Sequence, residues 1–382
     1  MGSFMVGSKE LIRDINSHLV LEVILNEGPI SRATISTKVG LTKATVSAIV
    51  SELIEKKLIR EIGSDDTSLG RKPILLEFCN ENGNVISIDL SVDTITVFTS
   101  DLRGNHCGIK QYKNQFDKNS IIIRLINLID ETLDAIEDTP LGVVGISIAV
   151  HGVVDNNNIV FAPYYDYTDL PLAKEIEEKF GIPVCIENEA NLLAIGERAF
   201  RRKNENLIAV SVHTGIGAGI IIDGKLYPGH NGLAGEIGHS IVVADGSPCP
   251  CGNRGCLEQY ASEKAVLRDF AEKKGVISVS LDEFVAAYNK MDADAITITD
   301  RFAKYISVGI NNLVHSFNPD VIVINSLLVT YIPKLLDMIR SHLISRMSKY
   351  CLLEPSGLQD SSILIGGVVL CMENYLGVTL KI

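Results

Sequence analysis

Near the start of the chain, apolar residues recur every three or four positions, and turn residues divide them into three short segments. This spacing is typical of amphipathic helices, and it predicts a first helix over residues 12–26 that Gly28-Pro29 ends. Ser31 is the expected N-cap of a second helix, and Thr42 is the expected N-cap of a third. Because Gly40 supplies a turn between them, the three segments predict a helix-turn-helix.

Two strands are predicted behind these helices, over residues 58–62 and 74–78, and a polar loop joins them. Together they predict a winged helix whose third helix and basic wing face DNA. A three-helix module that docks on another protein is the alternative. The residues predicted to contact DNA are Ser31, Arg32, Thr42, Lys43, Thr45, Ser47, Arg71 and Lys72.

Beyond Asn82-Gly83 the pattern changes to apolar strands that alternate with long helices. Such alternation predicts an α/β body. The predicted strands cover residues 85–90, 95–100, 143–150, 209–212, 219–222 and 321–324, and the predicted helices cover 120–136, 301–317 and 332–343.

The net charge of −12 argues against nucleic-acid binding by the whole surface, but the charge is unevenly distributed. Residues 1–80 contain ten Lys/Arg and ten Asp/Glu, whereas residues 81–382 contain 25 against 37. A neutral head on an acidic body is compatible with DNA binding through the head alone. No apolar run reaches the ~20 residues that span a bilayer, and no signal peptide is evident, so we expect a cytoplasmic protein without a membrane partner.

Candidate metal ligands are concentrated in one glycine-bounded segment, residues 235–258. Cys249, Cys251 and Cys256 have C-x-C-x4-C spacing, and His239 lies ten residues upstream. These four residues predict a closed, structural Zn²⁺ site of the Cys3His type. Buried thiols beside a surface histidine are one alternative. A disulfide is the weaker one, since C-x-C thiols rarely reach bridging geometry.

Carboxylates beside this histidine indicate what the ion would hold in place. If one imidazole nitrogen of His239 binds zinc, the other can bond a ligand hydroxyl, and Glu236 offers a second acceptor nearby. Glu258, two residues after the last cysteine, would be drawn to the same place. Fixed carboxylates and an imidazole suit a polyol, so we expect a sugar.

The run G-E-I-G-H followed by C-P-C-G-N-R-G-C-L-E resembles the signature of the ROK family of repressors and sugar kinases. The helix-turn-helix segment and the G-R-K-P wing resemble the heads of ROK repressors, especially the xylose-repressor subgroup. The resemblance implies a winged helix-turn-helix domain over 1–82, followed by a two-lobed body of the actin and sugar-kinase type. Its first lobe would cover 83–200, completed by a C-terminal helix at 367–382, and its second lobe, with the zinc loop and an oligomerisation surface, would cover 201–366.

Departures from the family's kinases predict that the body is not an enzyme. Where those kinases carry Asp-Ile-Gly-Gly-Thr, this chain has Asp89-Leu90-Ser91-Val92-Asp93-Thr94, which lacks the glycines that let backbone approach phosphates. Asn325-Ser326 stands where glycines lie beside the adenosine. Glu189 replaces the catalytic aspartate, and a carboxylate misplaced by about 1 Å can cost on the order of 100-fold in rate. The glycine-rich loop 214–219 is kept, but a tight turn explains it equally well.

The resemblance and the residues together predict a dimeric, possibly tetrameric, repressor whose operator affinity changes when a small aldose, xylose or glucose, binds. Two alternatives are an ATP-dependent sugar kinase and a repressor controlled by a membrane or phosphotransfer partner. His151, His213 and His230 depart from the family pattern, and a role for His151 or His230 in sugar choice stays open. The predicted sugar ligands are Asn188, Glu189, Glu236, His239 and Glu258.

Overall fold

The computed structural model describes residues 9–63, 73–162, 167–201 and 205–380. Within these ranges the chain forms a small N-terminal head and a larger body built on two five-stranded sheets. None of the described helices is both long enough and apolar enough to cross a membrane.

The head consists of three helices and a small sheet, as predicted. Apolar side chains of all three helices are buried together, including Ile24, Ile35 and Val50. The three strands pair antiparallel in the order β1-β3-β2. In chain order the elements are α1 (Lys9–Glu27), β1 (Ile30–Ser31), α2 (Arg32–Val39), α3 (Lys43–Glu55), β2 (Ile59–Ile62) and β3 (Leu75–Phe78).

The helix boundaries in the head follow from local hydrogen bonds. The Ser31 and Thr42 side chains accept bonds from the backbone N–H of residues 34 and 45, which satisfies amides left unpaired in the first turn. Gly40 ends α2 with a left-handed φ of 70°, which provides the predicted turn. Both N-caps predicted from the sequence are confirmed. The wing residues Arg71 and Lys72 lie outside the described residues.

The first lobe is a mixed sheet with the order β10-β7-β4-β5-β6. The strands β4, β7 and β10 run parallel, so their carboxyl ends meet at one edge. Its elements are β4 (Asn84–Leu90), β5 (Thr94–Asp101), β6 (Gly108–Lys113), α4 (Ile121–Leu133), β7 (Val143–Val150), β8 (Val153–Asp155), β9 (Asn158–Phe161), α5 (Leu172–Phe180), β10 (Val184–Asn188) and α6 (Glu189–Arg201).

The second lobe contains a sheet with the order β13-β12-β11-β14-β15, in which β11, β14 and β15 are parallel. Its elements are β11 (Leu207–Val212), β12 (Ile216–Ile222), β13 (Lys225–Leu226), α7 (Glu258–Ala261), α8 (Glu263–Lys274), α9 (Leu281–Asn289), α10 (Ala293–Phe317), β14 (Val321–Asn325), α11 (Leu327–Tyr331), α12 (Lys334–His342) and β15 (Leu352–Pro355).

The last helix, α13 (Ser362–Leu376), connects the two lobes. It packs on β7 and β4 of the first lobe and on α6, which in turn packs on β11 and β12 of the second lobe. The two helices approach so closely that a Cβ atom at Gly366 would stand 1.8 Å from the carbonyl oxygen of Leu192. The packing of the last helix on the first lobe agrees with the arrangement that the family resemblance implied.

The head and the first lobe share one apolar cluster. Leu25 of α1 belongs to the same cluster of buried side chains as Leu102 and Leu376 of the body. The guanidinium of Arg103 also donates a hydrogen bond to the carbonyl oxygen of Leu25. A shared core of this kind restricts independent motion of the head.

Two helices begin earlier than predicted. The helix α10 starts at Ala293 instead of residue 301, because Asp292 caps it through bonds from the backbone N–H of Asp294 and Ala295. The helix α13 starts at Ser362, so that Gly366 and Gly367 lie inside it. Glycine is tolerated there because both positions face other elements at close range, with Gly367 against the Ser87 and Ser147 hydroxyls.

Candidate functional site

The four predicted metal ligands come together in the second lobe. The ligand atoms of His239, Cys249, Cys251 and Cys256 all lie within 4.8 Å of one another. Cys251 Sγ is 3.7 Å from Cys256 Sγ, and Cys249 Sγ is 3.6 Å from His239 Nδ1. A tetrahedral zinc with bonds of about 2.3 Å to sulfur has sulfur–sulfur edges of about 3.8 Å, so the donor set and its spacing fit zinc.

The backbone of the cysteine segment forms a compact knuckle. Cys249 N–H donates to the carbonyl oxygen of Asn253 at 2.9 Å, and Gly252 N–H donates back to Cys249 at 3.0 Å. Bridges pair Ile241 with Cys256 and Pro248 with residue 254. These bonds fix the thiols locally without any disulfide, since all three cysteines are free.

His239 presents its two ring nitrogens to different groups. Nδ1 lies 3.6 Å from both Cys249 Sγ and a Glu258 carboxylate oxygen, whereas Nε2 lies 3.8 Å from a Glu236 carboxylate oxygen. The nitrogen on the thiol side can therefore bind a metal while the other faces the carboxylate of Glu236.

The segment that carries Glu236 and His239 is held against strand β12 by a glycine. Gly235 has a φ of 89°, and a Cβ atom there would stand 1.7 Å from the carbonyl oxygen of Ala218. A non-glycine residue would therefore push the segment away from the strand.

All five predicted sugar ligands line one small pocket between the lobes, with a volume of about 60 Å³. Glu189 and Asn188 reach it from the carboxyl end of β10, where ligands of open α/β sheets bind. Glu236, His239 and Glu258 approach from the second lobe.

Burial changes the protonation of two of these carboxylates. Removal from water, together with the negative Glu189 and Glu258, raises the pKa of Glu236 to about 7. Burial also raises the pKa of Glu189, although the nearby His151 opposes the shift. With a pKa of about 7, the Glu236 carboxyl group can accept hydrogen bonds when ionised and also donate one when protonated, which suits hydroxyl-bearing ligands.

Asn188 borders the pocket, but its amide is already bonded. The Oδ1 atom accepts from the backbone N–H of Ala190 and Asn191, and Nδ2 donates to the Gly152 carbonyl oxygen at 2.8 Å and to Glu189 at 3.0 Å. Its geometry therefore fits the orientation of Glu189 better than direct contact with a ligand.

Two carboxylate and histidine pairs at the pocket were not predicted. His151 Nε2 lies 2.9 Å from Asp89 Oδ1, and His213 Nδ1 lies 3.6 Å from Glu263 Oε2. Both histidines immediately follow strands, which was the available signal in the sequence. Their partners depend on strand pairing and on helix α8, which sequence spacing does not reveal.

A larger cleft of about 1210 Å³ opens beside the pocket, and its lining includes Ser91, Asp93 and Asn325 of the segments that the family resemblance assigns to nucleotide binding in the kinases. Residues 91–94 form a closed turn at its edge, with Ser91 N–H and Oγ both bonded to the Thr94 carbonyl oxygen at 3.0 Å. On the other wall, Glu263 accepts bonds from Leu327 N–H at 2.7 Å and from Ser326 Oγ at 2.9 Å. The hydrogen-bond donors at the start of α11 are thus already bonded to a carboxylate of the protein.

The described residues that were predicted to contact DNA differ in how many hydrogen bonds and ion pairs they already make within the head. Thr42 and Thr45 hydroxyls lie 2.9 Å apart, and Ser31 bonds Thr34 in the same way. Arg32 is paired with Glu61 of β2 at 2.5 Å. Lys43 and Ser47 are exposed on α3, where a helix can present them to a DNA groove.

Comparison of the sequence with known proteins identifies the family to which the chain belongs. The sequence matches the ROK family over residues 85–374 and the family "Winged helix-turn-helix DNA-binding" over residues 13–60. It is 36% identical over 384 residues to the xylose repressor of Bacillus spizizenii, covering 98% of this chain and 99% of that protein.

Two solved structures resemble the fold. A ROK family transcriptional regulator, described as a homologue of the E. coli MLC protein, has a TM-score of 0.82 and 27% identity, with 96% of this chain and 97% of that chain covered. A ROK family glucokinase from Streptomyces griseus, in complex with glucose and AMPPNP, has a TM-score of 0.68 and 26% identity. It covers 75% of this chain and 99% of its own. The chain therefore belongs to the ROK family and carries a winged helix-turn-helix domain ahead of a two-lobed, sugar-kinase-like body.

Proposed function

We propose that this protein is a DNA-binding repressor whose body binds a small aldose, xylose or glucose, and that sugar binding changes its affinity for operator DNA. The observation that carries the proposal is the convergence of Glu189, Glu236, His239 and Glu258 on one pocket, in a chain that also has a DNA-binding head. The similarity to a protein named xylose repressor supports xylose as the first sugar to test.

The sugar assignment rests on hydrogen-bonding chemistry. A pyranose presents a ring of hydroxyls, each able to donate and accept, so the carboxylates can accept from it and Glu236, with a pKa of about 7, can also donate when protonated. Desolvated polar groups of this kind also discriminate strongly against ligands that lack a matching hydroxyl. Asn188 contributes by holding Glu189.

A structural Zn²⁺ ion would be held by His239, Cys249, Cys251 and Cys256. Four protein ligands close the coordination shell, so the ion would brace the loop and supply no reactive position. The ion's effect on sugar binding would be indirect, through the orientation of the His239 ring toward Glu236.

The head would read DNA with α3 in the major groove, where Lys43 contacts phosphate and the small side chains Thr45 and Ser47 approach base edges. Arg32, Ser31 and Thr42 would position the helix, and Arg71 and Lys72 would contact the backbone from the wing. We further propose a homodimer, possibly assembled to a tetramer, because such heads read paired half-sites one helical turn apart. An operator DNA partner and reduced thiolate ligands would both support a location in the cytoplasm.

We also propose that the body has no kinase activity. The closed turn at residues 91–94, the charge of Asp93 and the Glu263 carboxylate all oppose bound phosphates. The kinase alternative is favoured by the similarity to a glucokinase and by the retained loop 214–219. A coupled ATPase assay with glucose and xylose decides between them, and we expect turnover at background.

Gel-shift titration of the operator with a panel of aldoses tests the repressor proposal. Sugar can change operator affinity only through its differential affinity for two states of the protein, and a coupling of about 1–3 kcal/mol gives a 5- to 150-fold change. An operator affinity that no common aldose alters would overturn the sugar-responsive function. Melting curves identify a repressor controlled by a partner protein instead, since a sugar at 100 times its Kd should add about 2.7 kcal/mol of stability.

A further inference from the structure

The small pocket and the large cleft adjoin each other and share part of their lining. Four residues border both spaces: Val92, His151, His213 and Thr214. The first two belong to the first lobe and the other two to the second lobe. A ligand group that extends from the pocket toward the cleft therefore lies close to these side chains.

His151 is the bulky member of this set in the first lobe, and its position is fixed. It directly follows β7, and Asp89 lies near the end of β4, its parallel neighbour, with Asp89 opposite Ala149. Strand pairing therefore brings the two side chains together, and the carboxylate lies 2.9 Å from Nε2 of the ring. Both side chains are largely buried, at 18% and 21% exposed.

The charge of the ring strengthens this arrangement. Burial disfavours the imidazolium, but the Asp89 carboxylate and, beyond it, Glu189 outweigh burial and raise the pKa of His151 to about 9. A charge-assisted hydrogen bond is stronger and more directional than a neutral one. The imidazole ring is thus held in one orientation at the border between the proposed sugar ligands and the cleft.

We propose that His151, oriented by Asp89, sets the size of the sugar by closing the pocket to the exocyclic hydroxymethyl group of a hexose, so that a pentose is preferred. This rests on the proposed sugar-binding function. Pentopyranoses and hexopyranoses share the ring and its hydroxyls, and they differ by this one group. Because His151 borders both the pocket and the cleft, a group that extends from the pocket past this residue toward the cleft meets the imidazole.

The test compares D-xylose and D-glucose by titration calorimetry on the full-length, zinc-loaded protein. The wild type should bind xylose more tightly than glucose. H151A should improve glucose binding relative to xylose by about tenfold, the lower end of the discrimination available from one carbon in a pocket. D89N keeps the His151 ring but removes the carboxylate that orients it. This variant should change the ratio of glucose affinity to xylose affinity in the same direction by a smaller factor. D93N is the matched control, because Asp93 borders only the large cleft.

A ratio that stays within about twofold of the wild type in both H151A and D89N overturns the proposal. Equal loss of both sugars also overturns it, since His151 would then be a general ligand. If H151A does not fold, H151N and D89N decide by the same ratio. If the wild type prefers glucose, the proposed role of His151 is wrong but sugar binding stands. If the wild type binds neither aldose, the proposed sugar-binding function is wrong as well.

Discussion

The ring of His18, on the first helix of the head, lies against Gly377, the residue that ends the last helix of the body. A Cβ atom added at Gly377 would stand 2.9 Å from two atoms of that ring. The helix α13 runs from this contact back along β7, the strand that His151 follows. The last helix therefore contacts the head at one end and packs on the strand that leads to the proposed sugar pocket.

G377A should weaken the coupling between sugar and operator. Alanine at a φ of 67° costs about 1–2 kcal/mol, and its methyl group would displace the exposed His18 ring. We expect the sugar-induced change in operator affinity to fall by about 0.5–2 kcal/mol in gel-shift titrations. G181A is the matched control, because Gly181 has a φ of 68° and nothing within 4 Å of its added Cβ atom. Identical coupling in the two variants would show that the His18 contact transmits nothing.

C251S should release zinc and abolish sugar binding. Loss of one of four ligands frees the loop that carries Glu236 and His239, and metal-site free energy is also folding free energy. Zinc content measured by a chelator dye should fall, together with the melting temperature of the body. C107S provides the control, since Cys107 is an exposed free thiol outside the cluster. Unchanged zinc content and sugar affinity in C251S would show that Cys251 does not hold a zinc ion on which sugar binding depends.

Local patterns predicted most of the helices and strands, and they predicted that the four candidate metal ligands lie close together. The spacing of apolar residues and the two N-caps were enough to predict the three helices of the head. The cysteine spacing predicted thiols that lie next to each other in the structure. Contacts set by tertiary packing were not predictable in this way. Asp89 and His151 are 62 positions apart and meet only because β4 and β7 pair in a particular register.

The contact between head and body was also missed. The sequence pattern changes at Asn82-Gly83, and the chain there forms a 3-10 helix with hydrogen bonds to the head and to the body. Asn82 Nδ2 donates to the Lys57 carbonyl oxygen, and Leu102 N–H donates to Asn80. A short polar segment has the same sequence character whether it is a free linker or is hydrogen-bonded to other elements, because its bonding partners lie far away along the chain.

K43A should weaken operator binding and lower its salt dependence. If the Lys43 ammonium neutralises one phosphate, the slope of log K against log salt should fall by about one. The measurement is operator affinity at four or more salt concentrations, and R71A on the wing should behave in the same way. K110A, an exposed lysine on β6 of the body, should leave the slope unchanged. A normal slope in both K43A and R71A would exclude these residues from the interface.

The His151 pair predicts a decline of stability in mildly alkaline solution. Because the folded pKa is raised from 6.5 to about 9, the folded state binds a proton that the unfolded chain has already lost in that interval. The stabilisation is fully present below about pH 6.5 and is lost as the pH rises through about 9. The loss of unfolding free energy is at most about 3–4 kcal/mol, at about 1.36 kcal/mol for each pKa unit between 6.5 and about 9.

Urea unfolding of the zinc-loaded protein at several values between pH 6.5 and 9.5 measures this decline. D89N removes the carboxylate that raises the pKa of His151, so its stability should vary less with pH over the same interval. His213 also has a raised pKa, because its bond and attraction to Glu263 outweigh burial, and this leaves a residual slope in D89N. D93N should follow the wild type, since Asp93 is not among the groups that shift His151. A D89N profile parallel to the wild type would mean that His151 is not held as an imidazolium by Asp89.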